Sequence, residues 1–366
     1  MTTIRRIAFA VGDTAGHVMP ALAVAEAWTA IAPIDVRIFA SPGGPAAGLA
    51  AQAGHAVEMV PASALARVGL PGRVAALARV ARGVPRARAR LRAHGSRLVI
   101  GTGGYGSGPV LLAARSLGLP TALIEPNAVP GLANRLLRRW VQRAFVSAEA
   151  PRAYFGADRA IVTGTPVSPS LAARLAAGRV APAGEVRVLV MGASRGEHFL
   201  GEEMPSFLAA VQARAGPRLR VRHQAGSLDA ARLAAAYAQA GVEATIEPFL
   251  ADVAGALGEA DVVVTRGGAV TLAELALAGL PALIVPLADA AEDHQARNAE
   301  AHAAHAAALW ARETAWSREA LAGAFAELIA SPTRWQAMSE AARALARPGA
   351  AAEVVRHCES WMAGRW

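Results

Sequence analysis

The sequence predicts an α/β fold of two domains, each a parallel sheet covered by helices on both faces. Three observations predict it. At 366 residues the chain exceeds what one hydrophobic core organises comfortably. Short apolar runs alternate with helical patterns along both halves, as strand-helix-strand crossovers require. The chain also opens twice in the same way: residues 4–11 and residues 186–191 each run into a glycine-containing loop and then a helix.

The elements follow in order. After the first strand a helix is expected over residues 18–30, with further strands at 36–40, 57–60, 98–100, 121–124 and 144–146. In the second half, strands are expected at 220–223, 244–247, 262–265 and 282–285. Pro166, Pro169 and Pro182 mark residues 164–185 as the linker. The domains are then residues 1–163 and 186–349, each Rossmann-like. Residues 350–366, helical beyond the Pro348-Gly349 break, are expected to pack back on the first domain.

Composition excludes several classes. A single cysteine, Cys358, forbids an intramolecular disulfide framework. No run of about 18 uncharged apolar residues exists to span a membrane. The apolar start behind Arg5-Arg6 is interrupted by Gly12, Asp13 and His17 too early for a signal sequence. Every basic residue is arginine, and the net charge of +9 is uneven. Residues 1–183 hold 21 arginines against 7 acids, and residues 184–366 hold 16 against 21.

The excess concentrates in Arg67, Arg73, Arg79, Arg82, Arg86, Arg88, Arg90, Arg92 and Arg97, where no acid occurs between Glu58 and Glu125. Leu65, Val68, Leu70, Val74, Leu77 and Val80 are interleaved with them. Two readings stand: a solvated helix pair whose apolar stripe packs on the sheet, or a basic surface that docks on anionic lipid headgroups. No nucleic-acid motif or aromatic interleaving accompanies the charge.

Loops between a strand end and a helix start offer free N–H groups and the positive end of the helix dipole, which suits phosphate. Residues 12–17, 101–108 and 192–196 are three such loops, and their distribution suggests two phosphorylated substrates meeting in a cleft between the domains. A fourth segment, residues 266–274, ends on Glu274, where a carboxylate can accept both hydroxyls of a ribose. His17, at the start of the first helix, is the candidate general base. His302 and His305 stand at one-turn spacing, but without a third ligand they read as plain helix surface. No Asp-x-Asp pair is present to clamp a metal on a diphosphate, so no metal and no cofactor are expected.

Ordered motifs across nearly the whole chain resemble the MurG family. They are residues 14–25, Gly103-Gly104-Tyr105 with Ser107-Gly108-Pro109, Glu125 and Asn127 with Gly131 and Asn134, and Gly164 with Pro166-Val167. In the second half they are Ser194 and Gly196, His223-Gln224, Phe249, Arg266 through Glu274, residues 279–282, and Asp293-His294-Gln295 with Asn298-Ala299.

The resemblance implies a GT-B fold and an inverting, metal-independent transfer of N-acetylglucosamine. The donor would be UDP-N-acetylglucosamine and the acceptor undecaprenyl-pyrophosphoryl-N-acetylmuramoyl-pentapeptide. It implies a peripheral protein on the cytoplasmic face of the bacterial plasma membrane, against an anionic surface. On that model the backbone at Leu250 reads uracil, Glu274 holds the ribose, and Ser194 with Gly196 holds the diphosphate. Ala269, Val270 and Thr271, continuing into Leu272 and Ala273, line the donor with Gln295 and Asn298. Thr14, Ala15, Gly16 and Asn127 face it from the first domain, with Gly103, Gly104 and Tyr105 as the acceptor loop.

The chain departs from the family at Asp13 and Ala15, where glycine is usual, at Ile124 and Pro126 in a His-Glu-Gln-Asn run, and at Ser168, where arginine is usual. Arg195 and Glu197 stand where Gln and Ala are usual. Those departures leave two alternatives: a related transferase acting on another lipid or natural product, or a binding protein without activity.

Overall fold

A computed structural model describes residues 4–62, 70–192 and 197–365, with the backbone alone over residues 70–77. The chain forms two compact units, residues 1–169 with 348–366 and residues 170–347. Each is built on one fully parallel sheet.

The first sheet contains β1 (Arg5–Ala10), β2 (Ile34–Ala40), β3 (Ala56–Met59), β4 (Leu98–Gly101), β5 (Thr121–Glu125), β6 (Arg143–Val146) and β7 (Ala160–Val162). Their order is β3-β2-β1-β4-β5-β6-β7. The second contains β8 (Val186–Met191), β9 (Leu219–Gln224), β10 (Glu243–Glu247), β11 (Val262–Thr265), β12 (Ala282–Ile284) and β13 (Leu309–Trp310), in the order β10-β9-β8-β11-β12-β13. Strands β7 and β13, of three and two residues, are too short to leave a sequence pattern and were not expected.

The connecting helices are α1 (Ala15–Thr29), α2 (Ala46–Gln52), α3 (Leu70–His94), α4 (Ser107–Ser116), α5 (Leu132–Leu137) and α6 (Glu149–Phe155), then α7 (Pro169–Leu175) and α8 (Glu197–Ala215). Further on lie α9 (Ala230–Gln239), α10 (Val253–Glu259), α11 (Ala269–Ala278), α12 (His294–Ala303), α13 (Arg318–Ala330), α14 (Pro332–Ala344) and α15 (Ala350–Trp361).

Parallel strands sit between helical layers, so central strands such as β4 and β11 are buried along their whole length and read as near-continuous hydrophobic runs. In β1, Ile7 and Phe9 point to a core shared with Trp28 of α1, while Ala8 and Ala10 point to one shared with Leu91 of α3 and Leu111 of α4. In the second unit Val186, Val188 and Val190 pack against Met204 and Phe207 of α8 and Phe325 of α13.

Three expectations change. The expected helix pair within the basic region is, over its described part, one 25-residue helix, α3. Gly83, Ala87, Leu91 and His94 form its buried stripe, and Arg79, Arg82, Arg86, Arg90 and Arg92 are exposed. Arg67, Leu65 and Val68 lie outside the described residues, as do the side chains of Arg73, Leu70, Val74 and Leu77.

The expected linker 164–185 is largely part of the second unit, which begins at Ser170 within α7. The Arg179 guanidinium donates to the carbonyls of Ala278 and Ala260, both at 2.6 Å, and of Leu257. Arg343 donates to those of Ala176 at 3.2 Å and Ala177 at 2.8 Å. These arginines bind the stretch to the carbonyl-rich C-terminal ends of α10 and α11. The first helix also begins three residues earlier than expected, which makes Thr14 its N-cap and puts His17 in its first turn.

The C-terminal helix α15 belongs to the first unit. Ala351, Val354, Val355 and Cys358 enter the core beside Trp28. Glu359 accepts from the Trp28 indole at 2.6 Å and from Arg5 Nε at 3.0 Å. Glu359→Ala removes the carboxylate to which a buried indole donates, and should cost the first unit about 1–3 kcal/mol in urea unfolding. A midpoint equal to wild type would show that α15 is held by its apolar face alone.

Candidate active site

In each sheet the chain winds one way from a central strand and then the other, so strand order reverses between β1 and β4 and between β8 and β11. Loops leaving neighbouring strands at such a point diverge and open a crevice at their C-terminal ends, where ligands of parallel α/β sheets bind. The four loops singled out in the sequence are the ones that leave β1, β4, β8 and β11.

In the first unit the loops after β1 and β4 close on one imidazole. His17 Nδ1 and the Thr14 hydroxyl are hydrogen-bonded at 2.8 Å, which orients the ring. A Cβ on Gly12 would fall 2.5 Å from His17 Nδ1. Gly104 has φ +73°, and a Cβ there would fall 2.7 Å from the Gly12 Cα. No side chain fits at either place, so the backbones lie against the ring. Gly103 adjoins it as well, and Tyr105 is half-buried beside them.

Thr14 is extended at the head of α1 (φ −106°, ψ 159°), and no side chain caps that helix. Ala15 is half-buried and Gly16 exposed in its first turn. Of the departing residues, Asp13 is exposed, and the Ser168 hydroxyl donates to Glu26 of α1 at 2.6 Å.

Asn127 is placed by a residue to which the sequence pattern assigned no role. Glu125, 1% exposed at the end of β5, accepts from the Asn127 amide N–H at 3.0 Å and its Nδ2 at 2.9 Å. Its second oxygen accepts from Asn134 Nδ2 at 2.8 Å. Burial pushes the Glu125 carboxyl above its ordinary range, and these hydrogen bonds oppose the shift. The Glu-x-Asn spacing, with Asn134 seven residues further, was the available signal.

In the second unit Ser194 and Gly196 lie outside the described residues, as does Arg195. Glu197 opens α8, and its carboxylate accepts from the Ser227 hydroxyl at 2.7 Å. The loop after β11 is well defined. Arg266, 2% exposed, donates to the Val285 carbonyl at 3.0 Å and pairs with Glu313. At Gly267 a Cβ would fall 2.2 Å from the Gln295 carbonyl, so α12 presses directly on the loop. The Gln295 side-chain oxygen accepts from the N–H groups of Gly267 at 3.2 Å and Leu287 at 3.0 Å. Asn298, 4% exposed, donates to the Gly267 carbonyl at 2.9 Å.

Gly268 then heads α11 without a side-chain cap. Ala269, Val270, Thr271 and Ala273 are half-buried; Leu272 is buried. Glu274 is 7% exposed, and its carboxylate has no partner among the described residues. Burial raises its pKa to about 7. Leu250 is buried after β10, beside an exposed Phe249. His302 is less superficial than expected: it bonds the Leu272 backbone, and burial lowers its pKa to about 4. Among the described residues no three His, Cys, Asp or Glu side chains are grouped to hold a metal ion.

Known proteins match the chain along most of its length. The model of the glycosyltransferase family 28 N-terminal domain matches residues 7–146, and that of the C-terminal domain residues 187–354. The chain is 35% identical over 357 residues to a protein of Geotalea uraniireducens (strain Rf4), with 96% of each covered. That protein is called UDP-N-acetylglucosamine--N-acetylmuramyl-(pentapeptide) pyrophosphoryl-undecaprenol N-acetylglucosamine transferase. A protein of the same name from Xanthomonas campestris pv. campestris (strain B100) is 37% identical, with 96% of this chain and 81% of that one covered. The crystal structure of Acinetobacter baumannii MurG superposes with a TM-score of 0.76 at 28% identity, covering 97% of this chain and 99% of that one. The chain therefore belongs to glycosyltransferase family 28 and, within it, to the MurG family of GT-B enzymes.

Proposed function

We propose that the chain transfers N-acetylglucosamine from UDP-N-acetylglucosamine to undecaprenyl-pyrophosphoryl-N-acetylmuramoyl-pentapeptide, with inversion and without a metal. The observation that carries the donor assignment is Glu274, a buried carboxylate with no partner among the described residues, on a helix whose N-terminus is left uncapped. Vicinal ribose hydroxyls donate to such a group, and their hydrogen bonds offset the cost of burying its charge.

On this reading the second unit holds the donor. Ser194 and Gly196 take the diphosphate, the Leu250 backbone the uracil, and Gln295 with Ala269 to Thr271 the sugar. Asn298 also holds Gly267 in place, and Leu272, buried in α11, continues the donor segment with Ala273. Departing UDP leaves charge on its diphosphate, which preorganised N–H groups at a helix N-terminus stabilise.

The first unit supplies the acceptor side. His17, oriented by Thr14, removes the proton from the attacking hydroxyl. Glu125 holds Asn127, and Gly103, Gly104 and Tyr105 form the acceptor loop. No helix among the described residues is long and apolar enough to cross a membrane. The exposed arginines of α3 meet anionic headgroups on the cytoplasmic face of the plasma membrane, and the protein is peripheral there.

The protein should release UDP from UDP-N-acetylglucosamine only when the lipid-linked muramoyl acceptor is present, and EDTA should not stop it. Turnover confined to another acceptor would reject the reading. His17→Ala should lower turnover by about 10²–10⁴.

Because the Glu274 carboxylate, not the acid, accepts both hydroxyls, donor affinity should fall by up to about tenfold per pH unit below about 7. The pKa is raised in the fold, so the group's contribution to stability is present below the ordinary value of 4.5 and lost as pH rises through about 7. Glu274→Gln should flatten both slopes in calorimetry and urea unfolding.

Vesicles rich in anionic lipid should carry the protein down at low salt. Replacing Arg79, Arg82, Arg86 and Arg92 together by glutamine should release it.

A further inference from the structure

We propose that Asp293 and Arg312 form a positioning pair that aims Gln295 at the donor sugar; this rests on the donor reading above. Glu292 (φ 55°, ψ 23°) and Asp293 (φ 59°, ψ 22°) are consecutive non-glycine residues in the left-handed region. Among the described residues only Ala306 shares that conformation without being glycine. Two in succession persist only where the surroundings hold them, and such strain concentrates at functional sites.

An ion pair to Arg312 holds them. Asp293 heads α12, where an aspartate usually turns its carboxylate back on the helix's own N–H groups. Here no side chain caps the helix. Both carboxylate oxygens accept from Arg312 instead, Oδ1 from Nη1 at 2.7 Å and Oδ2 from Nη2 at 2.6 Å. This two-pronged geometry fixes direction as well as distance. Arg312 follows β13 and lies 5.9 Å over the Trp310 ring, so the pair ties the head of α12 to the edge of the sheet.

Two residues on stands Gln295. Both groups that donate to its side-chain oxygen are backbone N–H groups, so the orientation of the amide is determined. Its NH₂ is left without a partner among the described residues, in the loop assigned to the donor. Were Asp293 to relax into the ordinary helical region, α12 would extend backward and turn. Gln295 would then leave the two N–H groups that hold it. The pair touches neither nucleotide nor sugar; it acts through Gln295.

The test compares UDP-N-acetylglucosamine with UDP, which lacks the sugar, by calorimetry on the full chain, together with donor KM and kcat. Asp293→Ala and Arg312→Met should each weaken UDP-N-acetylglucosamine binding and raise its KM about tenfold, and leave UDP affinity within about twofold. Asp293→Asn keeps a side chain that tolerates the left-handed region and accepts from arginine, and should recover most of the loss. Equal weakening of UDP and UDP-N-acetylglucosamine would assign the pair to general stability and overturn the proposal. Unchanged UDP-N-acetylglucosamine affinity in Asp293→Ala, with wild type binding normally, would overturn it while leaving the donor reading intact. Wild-type protein that binds no UDP-sugar would remove the donor reading and the proposal with it.

Discussion

Two adjacent strands whose outgoing loops must part company impose the constraint on which the chemistry of each unit depends. Between β1 and β4, and again between β8 and β11, the strand order reverses, so no crossover helix fills the space above the strand ends. In the first unit the backbones of Gly12 and Gly104 close on the His17 ring, in the second α12 presses on Gly267, and uncapped helix N-termini stand beside both. Substituting the loops changes the ligand; the crevice itself belongs to the sheet.

Two buried glutamates show how differently one side chain is used. Glu125 is saturated by Asn127 and Asn134, and its carboxyl oxygens organise a loop. Glu274 is equally hidden and has no protein partner among the described residues, and its pKa rises to about 7. A buried carboxylate left unpaired costs stability, and a chain retains such a group where something from outside completes it. The contrast separates a carboxyl held by its own fold from one without a protein partner among the described residues.

Much of this is legible in the amino-acid sequence. The paired strand-loop-helix openings and the apolar runs of the central strands follow from burial on both sheet faces, and those strands lie within a residue or two of their expected places. The short edge strands β7 and β13 have no counterpart among the expected strands. The proline-rich stretch looked like a free linker because Arg179 and Arg343 act over long sequence separations on backbone carbonyls, which no local pattern records. His17 and Glu274 stand out by residue type, and Gln295 through the family resemblance. Glu125 and the left-handed pair at Glu292 and Asp293 do not, since their meaning lies in what they hold.

The second unit, residues 170–347, is an uninterrupted stretch, whereas the first is closed by α15 from the far end of the chain. During synthesis the ribosome therefore completes the second unit while the first still lacks the helix that covers Trp28 and supplies Glu359. The usual order of vectorial folding, N-terminal domain first, is inverted here. Until α15 emerges, the nascent first unit carries an open apolar face on α1, and that interval is its period of greatest exposure to misassociation and to chaperones.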